Sequence, residues 1–106
     1  MFTKPKQMAE ELFDAAKLRL GELRSCPHSF LAALPESSEE VFTFRGQPAS
    51  LFTYRVTMPD RSVRIFVITS RSHLAGVVRT VNGDGFIVTP DGKVSEVTDE
   101  MRWDYL

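Results

Sequence analysis

With a single cysteine, Cys26, the chain can form no disulfide within itself and no cysteine-rich zinc site. Its two histidines, His28 and His73, leave little imidazole chemistry, and no ligand spacing suggests a metal. No apolar run approaches the roughly 20 residues that span a bilayer; the longest, Ile65 to Ile68, is strand-sized. The start, Met1-Phe2-Thr3-Lys4-Pro5-Lys6, runs into a charged amphipathic segment and lacks the continuous apolar stretch of a secretory signal. These absences lead us to expect a cytoplasmic protein with no membrane partner and no cofactor. The six glycines match neither a phosphate loop nor a dinucleotide fingerprint. In Asn82-Gly83-Asp84-Gly85 a calcium-loop pattern starts but fails at Phe86-Ile87-Val88.

Acids are nearly missing from the middle of the chain. Residues 41–82 carry Arg45, Arg55, Arg61, Arg64, Arg71 and Arg79 against Asp60 alone, while both ends carry more acids than bases. The net charge of −1 therefore hides a basic centre, and any attraction to an anion must be local. At 106 residues, with 42% hydrophobic and 25% charged side chains, the chain fits one globular domain.

Met8, Leu12, Ala16, Leu20 and Leu23 recur at helical spacing with Phe13 beside them, which predicts a helix over 5–24. Pro27 ends it, and 29–34 reads as one helical turn stopped by Pro35. Residues 35–40 read as a polar loop, with a strand over 41–45 after it. From there the period is two. Ser50, Phe52, Tyr54, Val56 and Met58 form the more apolar face of a second strand, opposite Leu51, Thr53, Arg55 and Thr57. Pro59-Asp60-Arg61 turns into a strand over 62–70, strands follow at 76–81 and 86–89 with a hairpin at 82–85, and Pro90-Asp91-Gly92 precedes a strand over 93–97. Thr98 or Asp99 is placed to cap a short terminal helix carrying Met101, Trp103 and Leu106. Short connections favour antiparallel neighbours. The expected fold is one α+β domain over 1–106. A long amino-terminal helix packs on an antiparallel meander of five or six strands, and a short carboxy-terminal helix follows.

The central strand is apolar on both faces: Val63, Ile65 and Val67 on one, Phe66 and Ile68 beside Arg64 on the other. One helix covers one face. The second face, with Phe66, Ile68 and Leu51, then needs the terminal segment, the 30–34 turn or a second copy of the protein. Arg55 and Arg64 on neighbouring strands, with Arg45 and Arg79 further along, would offer planar donor forks for carboxylate or phosphate beside Tyr54, Phe52 and Phe66. The bland alternative is a solvated face paired to the acidic ends. His73 follows Ser70-Arg71-Ser72 and could act as a base for either serine, although a polar loop needs no such role. Cys26 and His28 sit at a helix carboxyl end, where the dipole disfavours a thiolate and a capping role suits histidine.

These features lead first to a small non-enzymatic protein-interaction domain acting through a sheet face, with a homodimer as one arrangement. Arg55, Arg64, Phe66, Tyr54, Arg79, Arg45 and His73 are its candidate binding residues. The alternatives are an anionic small ligand or nucleic acid held by the arginines, and a small hydrolase or transferase using His73.

Overall fold

The helical stripe read from the sequence is the inner face of the first element. In the computed structural model, which describes residues 5–44, 46–73 and 78–97 (side chains for 11–44, 46–71 and 83–97), α1 spans Pro5–Arg24. Leu12, Ala16, Leu20 and Leu23 are all buried, the first two completely. Removing a buried leucine of this kind to alanine costs about 2–5 kcal/mol. Ser25 Oγ and Cys26 Sγ both donate to the Glu22 carbonyl, so the thiol helps to close the helix end. The short α2, His28–Ala32, follows and drops Leu31 into the same core.

Five strands form one antiparallel sheet in chain order: β1 Ser37–Phe44, β2 Gln47–Thr57, β3 Val63–His73, β4 Val78–Val88 and β5 Val94–Glu96. The architecture is α+β, with the helices against one face. The expected terminal helix lies outside the described residues, as does the segment between β3 and β4. Among the described residues no helix is long and apolar enough to cross a membrane.

Three expectations need correction. First, β1 begins at Ser37, so the polar stretch before Val41 is partly strand. Its ladder to β2 begins where Arg55 N–H donates to the Glu36 carbonyl at 3.0 Å.

Second, 82–85 is not a hairpin. β4 runs unbroken through it, with Gly83 opposite Ile68 and Gly85 opposite Phe66. Among the described glycines only Gly46 and Gly92 have positive φ. Gly83 and Gly85 serve close approach instead: a methyl on Gly85 would lie 2.8 Å from Phe66 Cδ1, and one on Gly83 2.9 Å from Ile68 Cγ1. The bare backbone leaves room for the larger cross-strand side chains to lie over β4.

Third, β2 turns the other way. The register sets Thr57, Arg55 and Thr53 beside Val63, Ile65 and Val67, and those three β3 residues, fully buried, face the helices. Leu51 is therefore under α1, while Phe52, Tyr54 and Val56 lie on the second face. The strongest apolar set, on β3, decides which side the helix covers, and register carries β2 with it.

The second face, expected to need the terminal segment, the 30–34 turn or a second copy as its cover, is closed at its centre within the chain. Phe66 is 1% exposed and Ile68 6%, so both are buried within the chain. The 30–34 turn is not their cover, because α2 packs on the helical side through Leu31.

Candidate functional site

The candidate arginines are divided by the sheet. Arg55 is on the helical side, where its Nε donates to the Leu34 carbonyl at 2.6 Å and its Nη1 to Thr57 Oγ1. With its own backbone N–H on Glu36, it ties the link between α2 and β1 to β2. Arg55 is thus a structural clamp and does not share a face with Arg64. Arg71, also on the helical side, stacks its guanidinium 5.5 Å from the Phe44 ring centre. Arg45 and the side chains of Arg79 and His73 lie outside the described residues. β3 continues as strand through His73, opposite Val78, so 70–73 is not the loop the sequence suggested.

Arg64 is on the second face, between Val56 of β2 and Ile87 of β4. Tyr54 and Phe66 form the next cross-strand pair along that face. Tyr54 is half-buried and stacks on Phe52, with ring centres 6.2 Å apart and planes 13° apart. Phe66 supports this row from within the chain, and its burial removes it from the accessible surface.

Arg64 opens onto a cleft of about 390 Å3 at the end of the sheet, lined with Met58, Pro59, Asp60, Ser62 and Ile87. The β2–β3 turn builds its wall. Met58 N–H donates to the Ser62 carbonyl at 2.8 Å and Arg61 N–H to the Met58 carbonyl at 2.9 Å. Arg61 itself takes the left-handed conformation, φ 71°. Ser62 N–H donates to Asp60 Oδ1 at 2.9 Å, and this bond, seconded by the Ser62 hydroxyl, holds the Asp60 carboxyl below its ordinary pKa. From α2, His28 Nε2 donates to the Arg61 carbonyl at 2.8 Å, fixing the turn from the helical side.

The chemistry of the cleft centres on Arg64. Its Nε is buried and has no hydrogen-bond partner, and no carboxylate within the described residues pairs with it. A buried donor left unmade costs about 1–3 kcal/mol; the residue as a whole is half-buried, so the rest of its side chain lines the cleft. The second polar group, Asp60, is ionised and already holds the Ser62 amide. A cationic and an anionic residue therefore both line a mainly apolar cleft.

Ser62, Asp60 and His28 meet around one turn, but no hydrogen bond joins His28 to Ser62, and the imidazole is engaged with a backbone carbonyl. The three hold the turn and do not form a nucleophile–base pair. Among the described residues no group of three metal-ligating side chains comes together.

Of the residues lining this cleft the sequence pointed to Arg64 and did not point to Met58, Asp60, Ser62 or Ile87, while Tyr54 is on the same face but outside the lining. The Pro59-Asp60-Arg61 turn was visible, whereas the meeting of that turn with β4 depends on long-range register. No known family model matches the chain, and neither a characterised protein nor a solved structure is found to be similar to it.

Proposed function

We propose that this protein is a small interaction domain that recognises a peptide segment of a protein partner on the second face of its sheet, with Arg64 as the anchor. The observation that carries this reading is a half-buried Arg64 that pairs with no carboxylate among the described residues and lines an apolar cleft on the face of the Phe52–Tyr54 stack. A peptide supplies what the cleft asks for: carbonyl oxygens for the guanidinium and apolar side chains for Met58, Pro59 and Ile87. Most interface energy resides in a few such arginine and aromatic anchors.

The carboxylate of Asp60 disfavours the alternative of phosphate or nucleic acid. It sits at the rim of the same cleft and offsets the charge of Arg64, and Arg55, the second expected cation, is on the opposite face. Among the residues lining the cleft, an anion would therefore meet Arg64 together with Asp60 rather than a cluster of cations.

Amide chemical-shift titration tests the reading, with a blocked apolar peptide (acetyl-Leu-Gly-Leu amide) and inorganic phosphate as probes. Saturable shifts of Met58, Ser62, Arg64 and Ile87 with the peptide, weakened about tenfold in Arg64→Gln, support it. Shifts at those amides with phosphate alone favour the anion reading. Silence with both probes overturns the site.

A further inference from the structure

The two edges of the sheet are unequal. β5 is three residues long, whereas β1 presents eight, and among the described residues nothing pairs with its outer side. Because Arg55 N–H bonds the Glu36 carbonyl, the alternation of an antiparallel ladder turns the backbone groups of Ser38, Glu40 and Phe42 towards β2. The N–H and C=O groups of Ser37, Glu39, Val41 and Thr43 then point outward, away from the sheet. Exposed edges are commonly blunted by charged side chains, lysine above all, by proline, a bulge or brevity. The β1 sequence, Ser-Ser-Glu-Glu-Val-Phe-Thr-Phe, has no lysine and no proline, and its register against β2 runs without a bulge.

Apolar surface follows the same edge. Val41 is 70% exposed and Leu18 of α1 68%. Leu18 and Ala15 border a shallow cleft of about 200 Å3 between helix and edge, floored by Phe42 and Leu51. The two acids of the strand are already engaged within the chain. Glu40 takes both guanidinium nitrogens of Arg19, at 2.6 and 2.9 Å, and Glu39 accepts from Ser50 Oγ at 2.8 Å. The edge therefore does not require a basic partner.

We infer that β1 pairs with β1 of a second copy, antiparallel about a two-fold axis at Val41, joining two five-stranded sheets into one. The outward-facing residues allow only certain registers. Centring the axis on Glu39 or on Glu40 opposes like carboxylates, which is destabilising. Centring it on Val41 sets Val41 against Val41, Glu39 against Thr43 and Glu40 against Phe42, and it uses nearly the whole strand. A two-fold axis perpendicular to the sheet keeps both helices on one side, so each Leu18 faces the neighbouring protomer's helix–edge cleft. This surface is separate from the Arg64 cleft, at the far side of β2 from β4, and either can fail without the other. It also replaces the dimer expected from the sequence, whose apolar residues Phe66 and Ile68 are buried within the chain.

Sedimentation equilibrium of the full chain from micromolar to millimolar concentration tests the inference. The parent should reach a dimer, and Val41→Lys, which opposes two ammonium groups on the axis, should weaken it by about tenfold or more. Val41→Pro removes an outward N–H, which leaves the ladder to β2 its hydrogen bonds, and should act in the same way. Val94→Lys on the other edge should leave the dimer intact. Since Val41 and Val94 are both exposed, thermal melts of all three should match the parent at concentrations where it is monomeric. A parent that stays monomeric overturns the inference, as does a dimer that tolerates both Val41 variants or yields equally to Val94→Lys.

Discussion

Replacing Gly85 by alanine should cost the fold about 2–3 kcal/mol, the upper part of the usual range of about 1–3 kcal/mol for overpacking a well-filled site. The added methyl would lie 2.5 Å from the Ile65 carbonyl oxygen and 2.8 and 3.2 Å from two ring carbons of Phe66. Carbon contacts are optimal at about 3.5–4.0 Å, so about an ångström must be recovered. The ring could give way, but the nearest atom is backbone of β3, which is paired on both sides, to β2 and β4. No rotamer change relieves it. Unfolding entropy of about 2.1 cal/mol/K per residue gives a chain of this size about 0.2 kcal/mol per degree, so Tm should fall by about 10–15 °C. Gly21 supplies a control of opposite sign. It is exposed within α1, and nothing lies within 4 Å of a methyl built there. Gly21→Ala should gain about 0.5–1 kcal/mol from helix propensity, raising Tm by about 2–5 °C. Circular-dichroism melts of the two variants decide the matter. A Gly85→Ala protein melting at or above the parent would falsify the packing described for β4. So would recovery of the lost stability on adding Phe66→Ala, because the limiting contact is the carbonyl.

The two arginines that the sheet separates should respond differently to urea denaturation. Arg55→Ala loses the bonds to Leu34 and Thr57 and should cost about 1–2 kcal/mol, whereas Arg64→Met removes a buried donor without a partner and should be neutral or stabilising by up to about 1 kcal/mol. Equal losses at both positions would contradict the clamp role of Arg55. Arg61→Gly should stabilise by up to about 1 kcal/mol, because glycine accepts the left-handed turn and the carbonyl that His28 holds remains; a loss of stability would show that the Arg61 side chain matters more than its backbone. At Glu40 the hydrogen bond from Arg19, opposed in part by desolvation, holds the carboxyl below its ordinary value of 4.5. That contribution is present above the ordinary value and is lost as pH falls through the lowered one; since the pair is exposed it is worth no more than about 1 kcal/mol. Stability measured against pH should therefore fall less steeply in acid for Glu40→Gln than for the parent, and identical slopes would remove the pair from the account.

Elements with a strong local signal were legible. The α1 stripe of Leu12, Ala16, Leu20 and Leu23 and the three-residue Pro90-Asp91-Gly92 turn depend on neighbours in the chain, and both are where their periodicity and turn chemistry place them. At Asn82-Gly83-Asp84-Gly85 local chemistry misled, because glycine permits a tight turn and equally permits close cross-strand packing. Only the side chains opposite, Ile68 and Phe66, distinguish the two. The candidate site divides in the same way. Arg64 was identifiable as a cation on an apolar strand, but Asp60 and Met58 joined it through the geometry of the β2–β3 turn, and Ile87 through its pairing with β3.

By itself, the sequence determined the α+β class, the long first helix, the antiparallel meander and a β3 apolar on both faces. Each of these follows from periodicity and short connections, which act between residues close along the chain. Only the tertiary structure decided which face of β2 meets the helix, and with it the separation of Arg55 from Arg64. Alternation along a strand defines two faces without saying which is inward. That choice belongs to the register with β3, whose fully buried valines and isoleucine gain the most from the helix.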